Sequence, residues 1–254
     1  MTQSERIRYG DDPSQWVDLR RADGASRGLV VVVHGGFWKA QYDASYGDPL
    51  AADLAARGWT TANVEYRRVG DGPGGGGGFP ETLDDVAAAI DTAATHAGAG
   101  DVVTLGHSAG GHLATWAAGR TRFDRWRAGV PVTHVVSQAG VLDLAAAARD
   151  GLGSGAVERL IGSPHPGGAG DSSYDLADPT RHLPLDVPVW CVHARDDEDV
   201  PFSQSEVYVE RAVAAGAQAT LVEVTGGHFG LVDTAHPAWA AVVGILDGVS
   251  PPSP

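Results

Sequence analysis

Residues 105–111 constrain the fold of this chain more than any other stretch. The five residues that end at Leu105 form a short, apolar, β-branched run that predicts a buried strand. Residues 111–118 are small and apolar on every side, as is typical of a helix packed on a sheet. Ser108 therefore lies at a strand-to-helix turn, with a glycine two residues away on either side. Such a turn strains the serine backbone, leaves no room for a β-carbon at the glycines and lifts the serine Oγ above the sheet.

A pair of glycines follows the Val-rich strand predicted over residues 28–33, in the segment His-Gly-Gly-Phe-Trp at positions 34–38. Consecutive glycines at the end of a strand allow backbone N–H groups to approach a substrate oxygen closely. We expect the N–H groups of Gly36 and Phe37 to join that of Ala109 in an oxyanion hole. Each donor of this kind contributes roughly 3 kcal/mol of transition-state stabilisation. An ordinary glycine turn is the alternative interpretation.

Four acidic residues at positions 196–199 follow the strand predicted over residues 187–193. A carboxylate at the end of this strand is suited to orient a catalytic histidine. The pattern of Asp, two further residues and then Val-Pro favours Asp197 for this role, while Asp196 and Asp199 stay open as alternatives. The remaining carboxylates are expected to be solvated or to cap the helix that follows.

The general base follows the acid in the chain order of a serine–acid–histidine site on such a sheet, and only two histidines do so. His228 lies in a glycine-flanked loop after the strand predicted over residues 219–224. His236 directly precedes a proline and is expected just outside the last helix. We therefore predict that His228 takes the proton of Ser108 and later protonates the leaving group, while Asp197 holds its tautomer.

The chain has a net charge of −14 and a single lysine, Lys39. This charge argues against binding to nucleic acid and to anionic membranes. The first residues lack the apolar core of a signal peptide, and no run approaches the ~18 apolar residues of a membrane span. We therefore expect a cytoplasmic protein that acts on a small molecule. The sequence leaves a homodimer open.

Ten histidines raise the question of a metal site, but their spacing does not favour one. His107 and His112 are five residues apart, whereas a helical zinc pair needs histidines at i and i+4. His34 and His193 end predicted strands, where a hydrogen-bonded structural histidine is the commoner outcome. Cys191 lies in an apolar run and is interpreted as a buried structural thiol. We expect no metal and no other cofactor.

Predicted strands and helices alternate along the chain, which indicates an α/β fold with a doubly wound, mostly parallel sheet. Ligands bind such a sheet at the carboxyl ends of its strands. Residues 70–78 are dominated by glycine and are expected to form a mobile loop. The alternation loosens over residues 144–182, which we interpret as a small cap-like insertion in a single domain of residues 1–254. The proline-rich residues 251–254 are expected to be frayed.

Taken together, these motifs resemble the α/β-hydrolase superfamily. The resemblance rests on His-Gly-Gly-Phe-Trp at 34–38, Gly-His-Ser-Ala-Gly-Gly at 106–111, Asp-Glu-Asp-Val-Pro at 197–201 and Gly-His-Phe at 227–229. Within the superfamily, the chain is most similar to the esterase/lipase-like branch that includes kynurenine formamidase (arylformamidase), whose oxyanion loop reads His-Gly-Gly-aromatic-Trp. Segments near both ends, such as residues 228–233, also resemble that branch, so the likeness covers nearly the whole chain.

The resemblance implies a cofactor-free serine hydrolase that cleaves a small-molecule ester or amide through an acyl-enzyme, with Ser108, Asp197 and His228 as its triad. If the acyl group is formyl, an aryl amine leaving group would lie against Phe37 and Trp38. Packing of these two side chains behind the oxyanion loop is the alternative. Lactone or peptide cleavage on the same scaffold, and a non-catalytic binding role, are the other functions that stay open.

Overall fold

The structure, a computed structural model, describes residues 4–98, 100–164 and 172–249. Within these residues, eight strands form one sheet. The strands are β1 (Glu5–Arg8), β2 (Trp16–Arg20), β3 (Leu29–Val33), β4 (Thr60–Glu65), β5 (Val102–His107), β6 (His134–Gln138), β7 (Val189–Ala194) and β8 (Ala219–Val224). Across the sheet they follow the order β1-β2-β4-β3-β5-β6-β7-β8. The β1–β2 and β2–β4 pairs are antiparallel, and the pairs from β4 to β8 are parallel.

Helices cover both faces of this sheet. The same described residues contain eight α-helices, α1 (Asp48–Ala56), α2 (Glu81–Ala97), α3 (Ala109–Gly119), α4 (Leu144–Arg149), α5 (Leu152–Ile161), α6 (Ser172–Ala177), α7 (Ser203–Ala214) and α8 (Pro237–Val249). The alternation of strands and helices confirms the predicted α/β fold with a doubly wound, mostly parallel sheet. None of the helices in the described part of the chain is long and apolar enough to cross a membrane.

The side chains of β3 contribute to the apolar core on both faces of the sheet. Successive side chains of a strand point to opposite faces. Val31 and Val33 pack in one apolar cluster with residues of α2 and α3, while Val30 and Val32 pack in a second cluster with residues of α1 and α8. Every residue of β3 is buried, as expected of a central parallel strand that is covered by helices on both sides.

The register of the sheet brings the ends of its central strands together. Val33 at the end of β3 lies opposite Gly106 of β5, and His107 at the end of β5 lies opposite Gln138 at the end of β6. Because parallel strands end at the same edge of a sheet, the loops after β3, β5, β7 and β8 meet there. These loops carry the residues that the sequence predicts for the site.

The structure adds β1, an exposed edge strand that the sequence analysis does not predict. The glycine-rich segment 70–78, for which the sequence predicts a mobile loop, has no regular helix or strand and contains hydrogen-bonded turns. The N–H of Gly76 donates to the carbonyl of Gly70 at 3.0 Å, and the N–H of Gly77 donates to the carbonyl of Arg68 at 2.8 Å. A Cβ on Gly75 would lie 2.1 Å from the carbonyl oxygen of Gly70. Glycine is therefore required here by close backbone packing.

Residues 144–182, interpreted as a cap-like insertion, contain α4, α5 and α6 in their described part. Regular helix in α5 begins only after residues 153–155, because all three have positive φ. Gly153 lies against the predicted oxyanion loop, since a Cβ there would be 2.6 Å from Cδ1 of Phe37. Residues 251–254, which the sequence predicts to be frayed, lie outside the described residues.

Candidate active site

Ser108 connects β5 to α3 in a strained backbone conformation. Its φ is +56° and its ψ is −121°, a region that costs a non-glycine residue about 1–3 kcal/mol. The glycines on either side are required by space. A Cβ on Gly106 would lie 2.0 Å from the carbonyl oxygen of Gly110, and a Cβ on Gly110 would lie 2.0 Å from that of Val33. The strand, the turn and the helix are those that the sequence predicts.

Backbone hydrogen bonds hold Ser108 at the edge of the sheet. Its N–H donates to the carbonyl of Gln138 at 2.8 Å, and its own carbonyl accepts the N–H of His112 at 3.1 Å. The side chain lines a cavity, although only 2% of the residue is exposed. Ala109 is the first residue of α3, and N–H groups in the first turn of a helix have no partner within the helix. The N–H of Ala109 thus suits the oxyanion role that remains a prediction.

The predicted oxyanion loop lies directly against the nucleophile turn. A Cβ on Gly35 would be 2.7 Å from the carbonyl oxygen of His107 and 3.0 Å from Cβ of Ser108. Gly36 and Phe37 both have positive φ, at 107° and 50°. These residues line the same cavity as Ser108. The structure therefore brings together the backbone groups for which the sequence predicts an oxyanion hole.

Trp38 lies in the core and does not line the cavity. Its indole is fully buried and makes an edge-on contact with His112, with 5.2 Å between ring centroids. The backbone carbonyl of Trp38 accepts the N–H of Val69 at 2.7 Å, which joins this loop to the segment after β4. The predicted substrate contact therefore fits Phe37 alone, and Trp38 has the packing role that the sequence analysis gives as its alternative.

A buried network supports the start of the oxyanion loop. The hydroxyl of Tyr66 donates to the carbonyl of His34 at 2.8 Å, and the two rings stack with 4.4 Å between centroids. His34 Nδ1 lies 2.8 Å from the carbonyl oxygen of Gly35, so this nitrogen carries the proton. Burial, together with the positive charge of Arg68, lowers the pKa of His34 to about 3. The loop is thus held by uncharged donors.

Asp197 is the carboxylate that meets His228. Its Oδ2 accepts Nδ1–H of His228 at 2.7 Å, and its Oδ1 accepts the N–H groups of Asp199 and Val200 at 2.8 Å each. The side chain is fully buried. Burial alone would raise the pKa of Asp197, but hydrogen bonds from His193, His228 and the N–H of Val200 outweigh it and hold the pKa below its ordinary value. Asp197 is therefore ionised beside the histidine.

The two alternative acids are both exposed. A carboxylate oxygen of Asp196 accepts the N–H of Gly226 at 3.4 Å, so this side chain contacts the turn after β8. Asp199 lines the cavity, and its carboxylate lies within 4.8 Å of ligand atoms of Asp197 and His228. Asp197, Asp199 and His228 also form the one group among the described residues that could hold a metal ion. Two of its three members already hydrogen-bond each other.

His228 lies in the loop after β8, and a neighbouring histidine fixes its backbone. His107 Nε2 lies 2.9 Å from the carbonyl oxygen of His228, and the two rings are 4.4 Å apart. Burial, followed by the nearby charge of His228, lowers the pKa of His107 to about 3. His236 lies just outside α8, as predicted, and its Nδ1 accepts the N–H of Ala238 at 3.1 Å. His236 therefore caps a helix and is separate from the site.

A cavity of about 150 Å³ connects Ser108, His228 and the oxyanion loop. Most of its wall is apolar or aromatic, with contributions from Val32, Tyr42, Tyr46, Leu50, Leu105, Phe229 and Val232. Tyr46 and Phe229 are 53% and 61% exposed, which puts them at the mouth of the cavity. These wall residues come from separate loops and helices and share no motif, so the sequence does not predict them. His193, predicted only as a structural histidine at a strand end, has its Nε2 3.3 Å from Oδ2 of Asp197.

Cys191 and His112 both lie in the core of the fold. Cys191 is buried, and burial raises the pKa of its thiol to about 12. His112 is buried in α3 and its Nε2 lies 2.9 Å from the carbonyl oxygen of Ala177. The burial of Cys191 agrees with the structural role predicted for its thiol.

Comparison with known proteins identifies the family of this chain. Residues 17–211 match the protein family described as BD-FAE. The chain belongs to this family. BD-FAE is a family of α/β-hydrolase esterases, so the match confirms the predicted superfamily. The narrower likeness to kynurenine formamidase is not part of this finding.

Two curated relatives come from Mycobacterium tuberculosis. The esterase LipC is 30% identical over 255 aligned positions, which cover 91% of this chain and 61% of LipC. The probable carboxylic ester hydrolase LipM is 27% identical and the alignment covers 93% of this chain and 58% of LipM. The chain thus spans about three fifths of the length of these curated relatives.

Solved structures share the fold over the whole chain. A truncated carbohydrate esterase from gut microbiota superposes with a TM-score of 0.75 at 23% identity, covering 97% of this chain and 96% of the other. Esterase B from Lactobacillus rhamnosis superposes with a TM-score of 0.78 at 20% identity, covering 98% of this chain and 86% of the other. At these identities the likeness establishes the α/β-hydrolase fold alone.

The buried histidines predict that the fold is sensitive to mild acid. Burial lowers the pKa of His34 and His107 to about 3 and that of His112 and His182 to about 4. Since an unfolded histidine titrates near ~6.5, the unfolded state binds more protons below that pH. The folded state is therefore fully stabilised above pH ~6.5, and the free energy of unfolding falls by about 1.4 kcal/mol per pH unit for each histidine as the pH drops toward the folded pKa values.

Urea unfolding at several pH values between ~6.5 and ~5 tests this expectation. We expect unfolding near pH 5 to take up about four protons, and the variant His182→Gln to take up about one fewer. A free energy of unfolding that stays constant over this range would contradict the account, because it would mean that these histidines charge freely in the fold.

Proposed function

We propose that this chain is a serine esterase that hydrolyses small carboxylic esters through an acyl-enzyme. In this proposal Ser108 is the nucleophile, His228 is the general base and Asp197 is the acid that orients the base. The chain belongs to an esterase family, and its curated esterase relatives are longer proteins. The proposal assigns ester hydrolysis to this chain as well.

The 2.7 Å hydrogen bond between Asp197 and His228 carries the proposal. It joins a fully buried carboxylate to a histidine whose other ring nitrogen is left to exchange a proton. A buried anion is costly to desolvate, and a general base that must form an imidazolium gains from one beside it. The same cavity contains a serine in a strained conformation, which is typical of a nucleophile held in position before the reaction.

Acylation follows from these roles. Ser108 Oγ attacks the ester carbonyl carbon while Nε2 of His228 takes the hydroxyl proton, and Asp197 stabilises the imidazolium that forms. The carbonyl oxygen becomes an oxyanion, for which the N–H groups of Ala109, Gly36 and Phe37 are the proposed donors. His228 then gives its proton to the alkoxide as the carbon–oxygen bond breaks. Water repeats the sequence on the acyl-serine and releases the acid.

His107 supports these proton transfers by remaining uncharged. Its pKa of about 3 leaves the ring neutral at physiological pH, with 4.4 Å between its centroid and that of His228. A second positive ring at that distance would oppose the formation of the His228 imidazolium. Its hydrogen bond to the His228 carbonyl fixes the loop and adds no charge that would compete with the reaction.

The cavity supports short acyl groups as the substrate class. Its volume of about 150 Å³ is close to that of an engineered cavity of roughly 150 Å³ that accommodates benzene. An apolar wall that includes Val32, Leu50 and Leu105 favours an alkyl chain and disfavours a charged group. We propose that the cavity takes the acyl chain, with an upper limit near six carbon atoms, about the size of benzene.

Arylformamide cleavage is the second candidate function. A formyl group needs almost no acyl pocket, so the same cavity would then hold the aryl amine leaving group against Phe37 and Phe229. The aromatic side chains at the mouth favour this alternative. In the first proposal the acyl group of the substrate fills the cavity, whereas in this alternative the leaving group fills it.

The first experiment compares kcat/KM for p-nitrophenyl esters of increasing chain length with kcat/KM for N-formylkynurenine. We expect efficient turnover of the short esters, and kcat losses of about 10⁴-fold or more in Ser108→Ala and His228→Ala.

Asp197→Asn should lose about 10³- to 10⁴-fold in kcat because the base loses its correct tautomer. The matched variant Asp199→Asn, an exposed carboxylate in the same loop, should stay within about threefold. A larger loss in Asp199→Asn than in Asp197→Asn would move the acid to Asp199, and formamide turnover at least a hundredfold above ester turnover would favour the second function.

Leu50 provides a test of the acyl pocket. Its side chain lines the cavity, so Leu50→Ala should shift the chain-length optimum of kcat/KM toward longer esters by about two carbons. Leu54→Ala is the matched control, because Leu54 is equally buried on α1 but does not line the cavity. We expect both variants to lower stability by about 2–5 kcal/mol, and only Leu50→Ala to change the optimum. An unchanged optimum in both variants would show that the acyl chain lies elsewhere.

A further inference from the structure

A second histidine lies on the far side of Asp197 from His228. His193 is the second-last residue of β7 and is fully buried. Its Nε2 lies 3.3 Å from Oδ2 of Asp197 and 3.1 Å from the carbonyl oxygen of Val200. Its Nδ1 lies 2.7 Å from the hydroxyl oxygen of Ser205 on α7. A chain of polar contacts thus runs from α7 through β7 to the acid.

The surrounding groups determine where the protons of this chain lie. A carbonyl oxygen and a carboxylate oxygen can only accept hydrogen bonds, so Nε2 of His193 must carry a proton. In the uncharged tautomer Nδ1 is then an acceptor, and the hydroxyl of Ser205 donates to it. The direction of donation therefore runs from Ser205 to His193 and on to Asp197.

With His193 included, every acceptor position of Asp197 is used. Oδ2 accepts Nδ1–H of His228 and lies 3.3 Å from Nε2 of His193, whose proton is shared with the carbonyl of Val200 at 3.1 Å, and Oδ1 accepts the N–H groups of Asp199 and Val200. A carboxylate offers about four lone-pair sites. The rotation of the carboxylate is consequently fixed from both ends, and only one of its four donors, His228, belongs to the proposed proton relay.

We propose that His193 is a positioning residue that holds Asp197 ionised and aimed at His228. This inference rests on the acid role proposed for Asp197. Without the Nε2–H donor, Oδ2 would be free to turn away from His228 Nδ1, and the base would lose its tautomer for part of the time. The expected defect lies in kcat and leaves KM nearly unchanged, because His193 does not line the cavity.

The test compares three variants with the wild-type enzyme on a p-nitrophenyl ester. His193→Leu removes the donor and should lower kcat about 10- to 100-fold, the range for a lost hydrogen bond to a charged group, with KM within about twofold. His193→Gln keeps an N–H donor near the position of Nε2 and should recover most of the loss. His182→Gln is the matched control, since it alters a buried histidine that bonds only a backbone carbonyl, and its kcat should stay within about twofold.

A double-mutant cycle separates positioning from general damage. In an Asp197→Asn background His193→Leu should have less than about a twofold further effect, because the group through which it acts is gone. Equal losses in both backgrounds, or no recovery in His193→Gln while circular dichroism shows a folded protein, would overturn the inference.

A spectroscopic measurement keeps the inference testable without turnover. The low-field proton signal of the Asp197–His228 hydrogen bond should broaden or disappear in His193→Leu and persist in His193→Gln. Absence of Ser108-dependent hydrolysis in the wild type would reject the proposed esterase function. An unchanged low-field signal in His193→Leu would reject the role of His193, so the two failures are distinguishable.

Discussion

The close contact between the backbone of β3 and the nucleophile turn is the constraint on which the site depends. A side chain at Gly110 would overlap the carbonyl of Val33, and one at Gly35 would meet the backbone of His107. Glycine at these positions allows the ends of two neighbouring strands to come within contact distance. As a result, the oxyanion loop and Ser108 occupy one wall of the cavity, and the strained serine is held by the sheet itself.

Electrostatics divides the site into one permanent anion and several uncharged histidines. Asp197 is held ionised by its hydrogen bonds, whereas burial keeps His34 and His107 uncharged at physiological pH. These histidines serve as hydrogen-bond donors that fix loops without adding charge. A positive charge can then develop at His228 with little competition, as the general-base role proposed for it requires. The low pKa values of the supporting histidines also make the fold sensitive to acid.

Much of this arrangement follows from the sequence, because the strand-to-helix turn, the glycine pair and the acid and base loops are short, local patterns. The order of the central strands and the pairing of Asp197 with His228 follow from the fold class. The burial of Trp38 against His112 depends on tertiary contacts between segments that are distant in sequence. The composition of the glycine-rich segment 70–78 predicts flexibility, yet Gly75 and Gly77 lie in close backbone contacts. The contact of His193 with Asp197 likewise depends on tertiary structure.

Covalent labelling with a p-nitrophenyl alkylphosphonate tests the central claim, that Asp197 and His228 activate Ser108 as the nucleophile, most directly. The reagent phosphonylates an activated serine, and peptide mapping by mass spectrometry locates the adduct. We expect one adduct per chain, on Ser108, with labelling strongly slowed in His228→Ala. An adduct on another residue, or labelling of Ser108 at the same rate in His228→Ala, would contradict it.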